Sequence, residues 1–169
     1  MGLHIEDQVF PKRCGHLDGK KLVAMSEMGD LVLEAVESKP FDDFFIIART
    51  DARGVTSMGD AIDRANYYRD KGDDVIFPEG LLSKDEFRVF SRECPGFLLA
   101  NMTEFGKTPF ISHAEFEDMG YQLIIHPVST QRVAMHAIGG FLETLSIEGS
   151  ASSFIKKMQN REDLYKLLS

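Results

Sequence analysis

"FFIIARTD", residues Phe44 to Asp51, runs five apolar residues into an arginine. A run this short, without alternation, reads as a β-strand covered on both faces. The polar residue that closes it is the second signal, and four other stretches repeat the pattern. "LHIEDQ" carries Leu3 and Ile5 before Glu6, and "DVIFPE" carries Val75 to Phe77 before Glu79. "GFLLANMT" carries Phe97 to Ala100 before Asn101 and Thr103, and "YQLIIHPVS" carries Leu123 to Ile125 before His126 and Ser129.

Helical spacing fills the gaps. Met25, Met28, Leu31, Val32, Ala35 and Val36 recur at helix period, as do Met58, Ala61, Ile62 and Ala65. Ser83 with Glu86, and Ser112 with Glu115, have the spacing of capping boxes. Strands alternating with helices predict parallel βα units and an α/β fold. Strands that each end in a polar residue predict a (β/α) barrel, whose active site is built from the loops after the strands. A Rossmann-type sheet is the alternative, but no glycine fingerprint follows any run.

A complete barrel needs eight strands and about 250 residues. A chain of 169 residues with five strand-like runs therefore predicts the C-terminal part of a barrel, beginning inside or just before its fourth strand. Residues 1–150 are expected to form this partial barrel, with a loop at 9–19. Within them, Thr130 to Ser146 reads as a long helix. Residues 151–169 are expected to form tail helices, over Phe154 to Met158 and Arg161 to Leu168, whose apolar side packs on its own barrel or on a neighbour's. A half-barrel leaves two strand edges and an open core. Association is expected, as a homo-oligomer or with the missing N-terminal half.

A net charge of −8 argues against nucleic-acid or anionic-membrane partners, which call for a basic patch. No apolar run is long enough to span a bilayer and no signal-peptide pattern opens the chain, so a cytoplasmic protein is expected. The cysteines are Cys14 and Cys94. In a reducing compartment they stay free. Lys12, Arg13 and His16 would favour a thiolate at Cys14, whereas Cys94, before Pro95, reads as inert.

The polar residues suggest a chemistry. Arg49 offers a planar fork for a carboxylate. Asn101, Thr103 and Ser129 offer uncharged hydrogen bonds. Glu6, Asp7 and Glu79 offer oxygen to a hard cation such as Mg²⁺. Cys14, between Arg13 and Gly15, sits on a loop that could swing over the site. A carboxylate clamp, a divalent cation and a mobile thiol suit proton transfer on a small oxo- or hydroxy-acid.

The stretch "HIEDQVFPKRCGH", from His4 to His16, resembles the signature of the isocitrate lyase and phosphoenolpyruvate mutase superfamily, and "KRCGH" resembles its lyase-type catalytic loop. The resemblance continues through "IARTDA" (Ile47 to Ala52), "FPE" (Phe77 to Glu79), "ANMTEFGKTP" (Ala100 to Pro109) and "PVSTQR" (Pro127 to Arg132). It ends at "MQNREDLY" (Met158 to Tyr165), which is similar to the tail of 2-methylisocitrate lyases. It implies a phosphoenolpyruvate-binding (β/α)8 TIM barrel and a Mg²⁺-dependent carbon–carbon lyase that gives pyruvate and succinate. It implies Cys14 as catalytic acid, with Lys12 and His16 tuning it and holding carboxylate. Gly15, Arg49, Glu79, Asn101, Thr103 and Arg132 would line the substrate pocket. Arg161 would reach a pocket from the tail, and Glu6 would support Mg²⁺ through water. The family's main metal-binding aspartates and its Ser-Gly substrate turn have no counterpart in these residues.

Plainer roles stand beside these. Arg49 could pair with Asp51, Glu6 and Asp7 with Lys12 and Arg13, and Glu79 could cap a turn. Asn101 and Thr103 could satisfy turn backbone, and Arg132 could be a solvated helix residue. His126 has no assigned role. Alternative functions are a phosphonomutase, an oxaloacetate hydrolase, a lyase for a related malate, or an inactive remnant acting as an oligomerisation module. The cysteine loop speaks against a phosphonomutase, since migration of a P–C bond needs no thiol acid.

Overall fold

The computed structural model describes residues 1–169. Five strands alternate with helices along residues 1–127: β1 (Gly2–Glu6), α1 (Met25–Glu37), β2 (Phe45–Thr50), α2 (Met58–Asp70), β3 (Val75–Pro78), α3 (Lys84–Glu93), β4 (Leu99–Asn101), α4 (His113–Asp118) and β5 (Leu123–Ile125). All pairings between these strands are parallel. β1, β2 and β3 form one sheet in that order, and β4 pairs with β5. A parallel bridge between Ile76 and Leu98 joins the two sheets. Strand order thus follows chain order without reversal, which excludes the switch point of a doubly wound sheet.

Local chemistry explains the elements. Ser57 and Ser83 accept hydrogen bonds from the third helical N–H of α2 and α3. Ser112 and Glu115 form the full reciprocal box expected at α4. The box expected at Ser83 is only half made. The Glu86 carboxylate instead accepts from the Leu82 N–H at 2.8 Å and from Arg53.

The main core lies between the sheet and helices α1–α4, with Met28, Val32, Tyr68, Phe87, Phe90 and Phe116 all essentially inaccessible. The Phe87, Phe116 and Tyr121 rings meet edge to face, with centroids 5.1–5.7 Å apart. A smaller apolar cluster occupies the other sheet face, where Val75, Phe77 and Leu99 are joined by Ile47 and Ile125.

Burial on both faces, expected for every run, holds for β3, whose four residues are all buried, and for Leu99 and Ala100 of β4. β2 alternates, and β1 and β5 bury no residue fully. The reason is position: β1 and β5 are the outermost strands, with a neighbour on one side only.

Two compact units divide the chain, Met1–Pro127 and Val128–Ser169. The second holds α5 (Ser129–Glu148), a 3-10 turn over Ser152–Lys157, and α6 (Arg161–Leu168). Within it, the Phe141 and Phe154 rings pack at 5.6 Å. No helix is long and apolar enough to cross a membrane.

Candidate active site

In-register pairing places Glu6, Arg49 and Phe77 side by side on β1, β2 and β3. All three point to the smaller apolar face, near the C-terminal ends of the strands. Arg49 is the hub. Its Nε and Nη2 donate to the two oxygens of Asp51 at 2.9 and 3.1 Å. Its Nη1 lies 3.3 Å from Glu79, its Nε 3.6 Å from Glu6, and the guanidinium rests over the Phe77 ring at 5.0 Å. Glu79 follows β3, is 1% exposed, and accepts from Asn101 Nδ2 at 3.2 Å. Burying these charges is tolerable only because each carboxylate meets a cation or an amide.

The loop after β1 folds over this cluster. Its neck is closed by two bonds between Gln8 and the Arg13 backbone, both 2.9 Å, and by Val9 N–H donating to Lys21 O. Gly15 lies so close to the cluster that a Cβ would fall 2.3 Å from Glu79 Cγ and 2.6 Å from Arg49 Nη2. Only glycine fits there. Lys12 reaches Glu6 at 3.4 Å. His16 Nδ1 accepts from the Lys107 N–H at 3.1 Å, which assigns the ring proton to Nε2. That nitrogen lies 3.2 Å from Glu79 Oε1 but is badly aimed for a hydrogen bond, so the contact is electrostatic. Cys14 is a free, exposed thiol in the same turn, its carbonyl accepting from the Leu17 N–H.

Lys20, Arg64 and Tyr68 join the network from outside the motifs. Lys20, 2% exposed at its side chain, donates to Asp51 Oδ1 at 2.8 Å and to the Gly15 carbonyl. Asp7 is fully buried, taking bonds from Thr50 Oγ1, the Asp51 N–H, Tyr68 OH and Arg64. Burial pushes the Asp7 carboxyl up even against these donors. Burial would raise Asp51 too, but hydrogen bonds and charge from Arg49 and Lys20 hold it below its ordinary value. Burial works against the Arg49 charge, and Asp51, Glu79 and Glu6 outweigh it.

Of the expected site residues, the structure brings together Glu6, Lys12, Gly15, His16, Arg49, Glu79 and Asn101. Thr103 joins through its loop: a Cβ on Gly106 would stand 3.0 Å from Thr103 Cγ2 and 2.9 Å from His16. Arg132 lies on α5 and Arg161 opens α6, both in the second unit. Ser129 is the first residue of α5. Two of the plainer readings hold as well, the Arg49–Asp51 and Glu6–Lys12 pairs. Asp7 pairs with Arg64 rather than with Arg13.

The oxygens offered to a cation do not form a cage. No three His, Cys, Asp or Glu side chains converge on a metal position. Asp7 is consumed by four donors, and Glu6 and Glu79 each face a cation. These residues alone do not fit a Mg²⁺ ion.

A parallel α/β fold, with a cysteine loop closed over an arginine–carboxylate cluster at the strand ends, defines the class. Its solved counterparts include 2,3-dimethylmalate lyase, a PEP mutase/isocitrate lyase superfamily member, at TM-score 0.88 and 36% identity over 98% of this chain and 55% of that one. The chain belongs to the phosphoenolpyruvate phosphomutase family, which it matches over residues 1–145. Its relatives include 2-methylisocitrate lyase of Aeropyrum pernix, 43% identical over 98% of this chain and 53% of that protein. Probable 2-methylisocitrate lyase 1 of Corynebacterium glutamicum is 46% identical over 99% of this chain and 55% of its own length. The chain spans about half the length of the curated relatives it matches.

Proposed function

We propose that this chain carries the cysteine loop and one side of the substrate pocket of a carbon–carbon lyase that splits 2-methylisocitrate, or a close 2-hydroxy acid, into pyruvate and succinate. The carrying observation is the fit of Gly15 against Glu79 and Arg49, which seats the Cys14 turn directly on the strand-end cluster. The relatives named 2-methylisocitrate lyase support the choice of substrate. The unreversed parallel strand order supports reading the five strands as an arc of a (β/α)8 barrel.

In this reading Asn101, Thr103 and the Arg49 N–H groups not taken by Asp51 and Glu79 hold the substrate's carboxylates. The substrate hydroxyl loses its proton to a base and its oxygen becomes the keto oxygen of pyruvate. The C–C electron pair passes to the carbon that becomes succinate. The Cys14 thiol delivers the proton to that carbon, with Lys12 and His16 in the same loop stabilising the thiolate left behind. Mg²⁺ belongs to this proposal only with ligands from beyond these residues.

Incubation with 2-methylisocitrate, with and without Mg²⁺, tests it by pyruvate release. A second reading, cleavage of 2,3-dimethylmalate, is favoured by a 2,3-dimethylmalate lyase from Eubacterium barkeri that is 39% identical over 136 residues. Relative kcat/KM on the two acids decides between them.

A further inference from the structure

We propose that Lys20 is a positioning residue that latches the Cys14 loop shut, tying Gly15 on the loop to Asp51 at the end of β2. A lysine ammonium with 2% side-chain exposure is costly to bury unless its protons are used. Here they are used on a carboxylate at 2.8 Å and on a loop carbonyl. The carboxylate end is rigid. Asp51 also holds the Arg49 fork, and its own N–H donates to buried Asp7. The carbonyl end is the residue after Cys14, and the Leu17 N–H to Cys14 O bond makes that turn one piece.

The loop's other side-chain ties to the body are weaker: Lys107–Asp18 is exposed, Lys12 is half-exposed where it meets Glu6, and the His16–Glu79 contact is badly aimed. The Lys107 N–H to His16 bond adds one backbone anchor. Lys20 is the charged tie that is both buried and well aimed. Asp51 serves Lys20 and Arg49 together. Loop closure and alignment of the Arg49 fork are coupled through one carboxylate. What the loop closes over rests on the proposed lyase reading; the latch does not.

Hydrogen exchange followed by mass spectrometry, on the wild-type protein and on Lys20→Met, tests the latch without substrate. Amides of residues 9–19 and of Lys107 should exchange at least about tenfold faster in the variant, with α2 unchanged. Alkylation of Cys94, which is buried, reports global opening in the same samples and should not change. Lys20→Arg, which can donate to both oxygens, should keep the loop protected. An unchanged loop in Lys20→Met overturns the proposal, and so does loss of protection that spreads equally to α2 and Cys94. Loop opening as described, in a protein without lyase turnover, would sink the lyase reading and leave the latch standing.

Discussion

Arg49 Nη1 and Glu79 Oε2 stand 3.3 Å apart at the ends of neighbouring strands, and Glu79 also touches His16 and Asn101. Glu79 therefore joins β2, β3, β4 and the Cys14 loop through one carboxylate. Glu79→Gln keeps the volume and removes the charge. It should cost about 1–3 kcal/mol in urea unfolding, because Arg49 keeps Asp51. Pyruvate release should fall by roughly 100-fold, as expected when a preorganised charge is lost from a site.

Gly15→Ala should fold like the wild type and lose turnover. The added methyl has no room against Glu79 and Arg49, so the loop must lift. Circular dichroism should be unchanged, while kcat/KM falls by about two orders of magnitude, the cost of misplacing a reacting group by roughly an ångström.

Cys14→Ser separates binding from chemistry. The thiol is exposed, so its replacement should leave the melting temperature within about 1 °C, as for surface changes generally. Turnover should drop by about 100-fold or more, because a hydroxyl is a much weaker acid than a thiol. Full lyase activity in this variant would remove Cys14 from the mechanism.

Asp73 gives a pH-dependent stability. Its carboxylate has no exposed side-chain surface and no hydrogen-bond partner. Burial pushes its pKa up to about 7, with Arg69 opposing and Asp74 adding to the rise. The unfolded chain ionises this group near its model value of 3.8, while the folded chain keeps it protonated up to about 7. The unfolded state therefore binds fewer protons across that window, and stability falls as pH rises through it. The loss should level off above pH 7 at no more than a few kcal/mol. Asp73→Asn should remove this part of the pH dependence, read from urea midpoints at pH 5 and pH 8.

Phe116→Ala removes one ring of the aromatic cluster formed with Phe87 and Tyr121. It should cost about 3–5 kcal/mol in urea unfolding and leave the strand-end cluster without a direct contact to lose.

The strands and helices were legible because their signals are local. The run at Phe44 to Ala48 and the cap at Ser112 each lie within a few residues of the structure they specify. The loop residues around Cys14 were legible as a set because they are consecutive. The network beneath them was not. Lys20 and Asp51 are 31 residues apart, Asp7 and Arg64 are 57, and Asp7 and Tyr68 are 61. No spacing rule connects such pairs. The same limit explains the Asp7 misreading. From the chain alone its carboxylate offers oxygen to a cation, whereas folding spends it on four donors.

Sequence alone determined the alternation of parallel strands and helices, the polar residues at the strand ends and the cysteine loop, since hydrophobic period and turn chemistry act over a few residues. Tertiary structure decided which charges pair, which strands lie outermost and what holds the loop. Those outcomes depend on burial, and a buried charge is stable only beside a partner that folding brings to it from elsewhere in the chain.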